Sequence, residues 1–127
     1  DDKMNIPIYR AKKIDSDEYV IGWYSSPIII EGKLYLSITN QDGEHRIDTT
    51  TLSIHFPDMI DSQGNKIFAS LQEDGKGGDI CSVNNFIDSR LKGIAIYQNY
   101  GFRIDRKGKA MGISLSSTDI KIIGIQQ

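Results

Sequence analysis

Side chains able to do chemistry are few in this chain of 127 residues: two histidines, His45 and His55, and a single cysteine, Cys81. The histidines stand ten positions apart and the cysteine falls on a different predicted strand, which is not the spacing of a metal site. No metal is expected. Cys81 and His55 would form a nucleophile and its base if the fold brought them together, but a small buried thiol is the plainer reading of a lone cysteine. His45 reads as exposed beside a turn and His55 as facing away from a buried alternation. Glu73-Asp74-Gly75-Lys76-Gly77-Gly78-Asp79 is the most unusual local sequence. Its glycines around a lysine suggest a phosphate cradle and its acids a calcium loop, yet neither spacing is met. A sharp bend, or a close approach by another backbone, explains the glycines better. No catalytic residue and no cofactor follow from this set.

Charge offers the one candidate binding segment. Residues 90–109 carry Arg90, Lys92, Arg103, Arg106, Lys107 and Lys109 against Asp105 alone, whereas residues 31–79 hold nine acids against four bases. Tyr97, Tyr100 and Phe102 interleave with the basic set, as on a platform for single-stranded nucleic acid. Arg103, Arg106, Lys107, Lys109 and Tyr100 are the binding residues this reading selects. A solvated hairpin with core aromatics is the competing reading, and complementary patches on one chain also favour contacts between copies.

The elements that must position these groups read as strands. Ile6 to Ala11 predicts an edge or opening strand, because Pro7 cannot donate to a central ladder. Glu18 to Tyr24 follows. Ile28–Ile30 and Leu34–Thr39 form a hairpin about Glu31-Gly32-Lys33, in which Gly32 can take positive φ. Asn40-Gln41-Asp42-Gly43 turns into a strand carrying Arg46 to Asp48, and Leu52, Ile54 and Phe56 alternate with Ser53 and His55. Ile67 to Leu71 predicts a short helical turn, and Val83, Phe86, Ile87 and Leu91 have helical spacing over two turns. Ile94–Tyr97 and Phe102–Asp105 make a second hairpin, with Gly101 where positive φ is needed. Met111–Ser116 and Ile120–Ile125 close the series. Short strands with Gly-rich turns predict an all-β single domain, a barrel or sandwich of antiparallel hairpins with at most short helical turns.

Composition agrees with that class. The chain is 39% hydrophobic and 25% charged with a formal charge of -2, which disfavours a general polyanion binder. One cysteine allows no internal disulfide. The apolar runs are far shorter than the roughly 18 residues of a membrane helix, so no membrane partner is expected. Asp1-Asp2-Lys3 before Met4 matches the tail of a cleavable expression tag, leaving residues 4–127 as the domain. No export signal follows Met4, and a cytoplasmic location is expected.

Ile8-Tyr9-Arg10-Ala11-Lys12 followed by Trp23-Tyr24 resembles the opening of the YopX family of phage and prophage proteins. Asp61-Ser62-Gln63-Gly64-Asn65-Lys66-Ile67-Phe68 is similar to its "D-x-x-G-x-K-I-(F/Y)" phrase, and Gly78-Asp79-Ile80 to its "G-D-I". Gly93 to Tyr97, Gly101-Phe102 and Asp119 to Gly124 are similar to its later strands. Ala69 to Gly77 depart from it as an insertion. The resemblance implies a largely β fold, a phage-derived gene, a bacterial cytoplasm and no established enzyme activity. It also implies structural duties: a turn at Gly64, core positions at Ile67 and Phe68, and the start of a strand at Gly78 and Asp79. The expected function is a non-enzymatic binding or oligomeric scaffold with a host or phage macromolecule as partner. A nucleic-acid binder using residues 90–109 and a small nucleotide-ligand binder are the alternatives.

Overall fold

The structure, a computed structural model, describes residues 7–25, 27–84, 91–98, 101–106, 109–111 and 119–127. Among them about 57% lie in strands and 3% in a short helical turn, so the fold is all-β. The strands are β1 (Ile8–Lys12), β2 (Tyr19–Tyr24), β3 (Ile28–Ile30), β4 (Lys33–Tyr35), β5 (Ser37–Asn40), β6 (Gly43–Arg46), β7 (Ser53–His55), β8 (Ala69–Ser70), β9 (Asp79–Asn84), β10 (Leu91–Gln98), β11 (Gly101–Arg106), β12 (Lys109–Met111) and β13 (Asp119–Ile125). A 3-10 turn, Thr49–Thr51, starts where the Asp48 carboxylate accepts the Thr50 N–H, leading the chain into β7.

One curled sheet, a half-barrel, runs in the order β12-β11-β10-β8-β7-β1-β2-β5-β6. It forks at β10. Leu91 to Ile94 pair with β9, which pairs in turn with β13, whereas Ile94 to Gln98 pair with β11 and Ile96 lies beside Ser70 of β8. Strands β8 and β9 therefore leave β10 at neighbouring points, and their backbones crowd there. Gly78 occupies the crotch: a Cβ on it would lie 2.4 Å from the Ala95 carbonyl oxygen and 2.9 Å from the Ser70 nitrogen. Strands β3 and β4 form a separate two-stranded hairpin between β2 and β5. Its turn places Glu31 at φ 51° and Gly32 at φ 77°, the pair of positive angles that a two-residue turn needs to match strand twist.

The buried side chains form two clusters. Met59, Ile67, Ala69, Cys81, Ala95, Ile104 and Ile120 pack beneath the fork, with Phe56, Tyr97 and Ile122 against them. Ala11, Val20, Ile38, Ile47 and Leu52 fill the other half with Tyr9, Leu36 and Leu71. Ile67 and Phe68 are both buried, as the sequence predicts, and Gly64 turns at φ 83°.

Several local expectations are corrected. Strand β1 is not an edge: it pairs with β2 on one side and β7 on the other, and Pro7 stands just outside the ladder, where its missing N–H costs nothing. Leu34–Thr39 is broken at Leu36, because β4 pairs with β3 and β5 with β2. Ile67 to Leu71 makes no helical turn; Ala69 and Ser70 pair with β7, and tertiary pairing outweighs the local pattern. Val83 and Leu91 are not on a helix either, being partners in the β9–β10 ladder. Residues 85–90 between them lie outside the described residues, as do 1–3 and 112–118. Gly101 pairs with Gln98 and is not among the positive-φ glycines.

Candidate functional site

Arg10 is a charged residue within an apolar strand, and the fold answers it with a partner. Its guanidinium meets the Asp79 carboxylate at 2.9 Å, and both side chains are buried. The same nitrogen donates to the Gly77 carbonyl at 2.9 Å, and the Phe68 N–H donates to the other Asp79 oxygen at 2.8 Å. The Arg10 carbon lies 4.6 Å from the Phe68 ring centre and 5.5 Å from that of Tyr19, so flat aromatic faces shield the ion from water. This pair ties β1, in one core cluster's half, to the start of β9 in the other.

The loop supplying Gly77 is the Gly-rich segment singled out by the sequence. Gly77 has φ +85°, and a Cβ there would fall 2.0 Å from the Thr51 carbonyl oxygen. The Gly77 N–H donates to the Gln126 carbonyl and the Gln126 N–H to the Gly78 carbonyl, both at 2.8 Å. The predicted close backbone approach is what the glycines serve. The loop's amides are committed too: Gly75 donates to the Gln72 carbonyl, Lys76 to the Asp74 carboxylate and Gly78 to the Gly75 carbonyl. No free backbone cradle for a phosphate is left along Gly75–Gly78.

Reactive side chains are likewise spent on structure. Cys81 is fully buried, and burial beside Asp79 and Asp61 pushes its thiol up to about 12, so it stays protonated and poorly nucleophilic. His55 is buried rather than turned out, because β7 is covered by Phe68, whose ring centre is 5.5 Å away. Burial lowers its pKa, partly opposed by the hydrogen bond between Nδ1 and the Ile67 carbonyl. His45, half-buried, bonds Asn40 at 3.2 Å. Asp61 pins the turn of the "D-x-x-G-x-K-I-F" phrase. It accepts the Gln63 and Asn65 N–H groups at 2.9 and 2.8 Å and, on its other oxygen, the Asn65 amide and the Ile122 N–H. Burial raises its pKa but the hydrogen bonds outweigh it, holding the carboxyl below its usual range. Among the described residues no three His, Cys, Asp or Glu side chains gather as a metal site.

Paired residues share a face of a sheet, so Arg10 and Ile21, and Lys12 and Tyr19, point the same way, with Trp23 two positions beyond Ile21. Ile21 is 47% and Trp23 52% exposed, and on the β3–β4 hairpin the cross-strand partners Ile29 and Leu34 are 72% and 59% exposed. These four large apolar side chains all lie open to solvent on neighbouring stretches of the chain. Lys33 and Arg46 both lie against the Tyr35 ring, at 5.6 and 5.0 Å. Two shallow clefts flank the β1–β2 turn, one of about 380 Å³ lined by Lys12, Lys13, Lys33, Tyr35 and Asp48, the other of about 590 Å³ lined by Glu18, Glu44, His45 and Arg46.

Of the sequence-selected binding residues, Tyr100 and Lys107 lie outside the described residues. Arg103 and Arg106 are on β11 and Lys109 on β12, with Arg106 and Lys109 paired directly in register. Sequence reasoning passed over Arg10 and Trp23 as binding groups and set Lys76 aside with the phosphate-cradle reading. An arginine inside the apolar phrase Ile8–Ala11 was the available signal for the first; nothing in the alternation of β2 shows which of its faces stays open. No family model matches the chain, and no curated protein or solved structure matches it.

Proposed function

We propose that the chain is a phage or prophage accessory protein of the YopX-like kind, working in a bacterial cytoplasm as a binding scaffold and not as an enzyme. The phrases at Ile8–Lys12, Asp61–Phe68 and Gly78–Ile80 support the origin. The observation that supports the binding role is the exposure of four large apolar side chains, Ile21 and Trp23 on β2 and Ile29 and Leu34 on the β3–β4 hairpin, while Cys81, His55 and Asp61 are engaged in structure. Such a surface gains by being covered: each large side chain fully removed from water is worth roughly 1.5–3 kcal/mol. A second copy of the chain is the first partner to test, the apolar face of one copy meeting that of another.

Trp23 is the chain's one tryptophan and reports on its own surface. Emission should shift to the blue as the protein is concentrated, in step with a rise in mass by light scattering. Leu34→Glu should keep both emission and mass at their dilute values. Assembly that proceeds unchanged in Leu34→Glu would refute the use of this surface between copies.

The register of β11 and β12 favours a second reading. Arg106 and Lys109 are cross-strand partners in register, and two basic residue types at opposite positions favour an anionic partner. Single-stranded nucleic acid is such a partner. Reversing Arg103, Arg106, Lys107 and Lys109 together should then abolish oligonucleotide binding and leave mass unchanged, and the parent's binding should fall steeply with salt.

A further inference from the structure

We propose that the Tyr19 side of β1 and β2 holds a phosphate-type oxyanion, bound by the Arg10 Nε, the Tyr19 hydroxyl and the ammonium groups of Lys12 and Lys76. The site shares the β1–β2 face with Ile21 and Trp23 but uses neither apolar side chain, and it does not depend on either reading.

Two independent observations carry it. The first is a pair of donors without partners. Arg10 Nε and the Tyr19 hydroxyl are two of the three buried side-chain polar atoms that make no hydrogen bond among the described residues, and they belong to side chains in contact. A buried donor left empty costs about 1–3 kcal/mol, so two on neighbouring side chains call for an acceptor. Arg10 itself is only 7% exposed, while Tyr19, Lys12 and Lys76 are half-buried.

The second is uncompensated charge. Asp79 neutralises Arg10, but neither Lys12 nor Lys76 has an ion-pair partner among the described residues. Lys12 Nζ sits 5.7 Å from the Tyr19 ring centre, on the ring that Arg10 also faces. Lys76 directly precedes the glycine whose carbonyl Arg10 holds, and its charge is felt at the Tyr19 hydroxyl. Asp48 feels the charge of both lysines, but its Oδ1 is occupied by the Thr50 N–H and hydroxyl. A phosphate carries about -1.5 to -2 charge near neutral pH and has several acceptor oxygens. It matches two free cations and two free donors better than a single carboxylate does. With the Gly-rich amides already committed, Lys76 contributes through its side chain alone.

Titration calorimetry at low ionic strength tests this with inorganic phosphate, pyrophosphate and adenosine monophosphate, against sodium chloride of equal ionic strength. The parent should release binding heat with pyrophosphate, and Lys76→Gln and Tyr19→Phe should each weaken it by roughly tenfold, as expected for loss of one charge-assisted hydrogen bond. Asp48→Asn keeps the cap of the 3-10 turn and should tighten binding by roughly 2–5-fold. Thermal melts of the three variants separate lost binding from lost folding. Adenosine monophosphate binding more tightly than phosphate, with a change in Trp23 emission, would assign the oxyanion to a nucleotide; equal affinity would assign it to free phosphate. No heat with any of the three anions, or affinities unaltered in the folded variants, would overturn the proposal.

Discussion

Asp61 and His55 both work by being held in one protonation state. The folded protein keeps the Asp61 carboxyl below its ordinary 3.8, so its contribution is complete above that value and drains away as pH falls through the folded pKa. His55 is held below its ordinary 6.5 as a buried neutral ring, so stability begins to fall once pH drops under 6.5, where the unfolded chain takes up the proton first. The acid limb of stability should therefore have two segments. Urea melts across pH should show His55→Gln flattening the segment just below 6.5, and Asp61→Ala flattening the one below 3.8 while costing roughly 2–3 kcal/mol at neutral pH. A single unbroken limb in all three proteins would contradict this. Phe68 is a simpler case. It is buried against Arg10 and His55, and Phe68→Ala should cost roughly 3–5 kcal/mol. A melt within a degree or two of the parent would contradict that placement.

The Gly-rich loop acts as an element through what it lacks. Gly77 combines a left-handed backbone with no room for a Cβ, whereas Gly32 has the same kind of φ and open space around it. Gly77→Ala should therefore cost roughly 2–3 kcal/mol and Gly32→Ala roughly 1 kcal/mol, a difference that thermal melts resolve. Equal costs would mean that the close approach to Thr51 is not what selects glycine. The loop's purpose was legible in the sequence as a bend or close approach, and so were the hairpins at Ile28–Tyr35 and Ile94–Asp105, since local alternation and turn residues specify both. The fork at β10 was not. Pairing of Ile96 with Ser70, or of Leu91 with Val83, is set by contacts between distant segments, and short apolar runs such as Ile67–Leu71 carry no mark of their partner. Burial of both faces of β7 was hidden for the same reason.

For the molecule as a whole, the Arg10–Asp79 pair ties strand β1 of one core cluster to the start of β9 in the other. Arg10→Met alone leaves Asp79 buried without its cation and should cost roughly 3–5 kcal/mol by chemical denaturation. The sequence announced an all-β domain through its strand periodicity. It could not announce the exposed face of β2, because which side stays open depends on where the rest of the sheet curls. The proposed binding role rests on the exposed side chains Ile21, Trp23, Ile29 and Leu34. Its most direct test is quantitative capture from phage-infected bacterial lysate with two baits, the parent and the Trp23→Ala, Leu34→Ala double variant, both confirmed as folded by circular dichroism. The expected result is a partner, a second copy of the chain included, that is enriched on the parent and reduced at least tenfold on the variant. Equal capture by both baits would contradict the account.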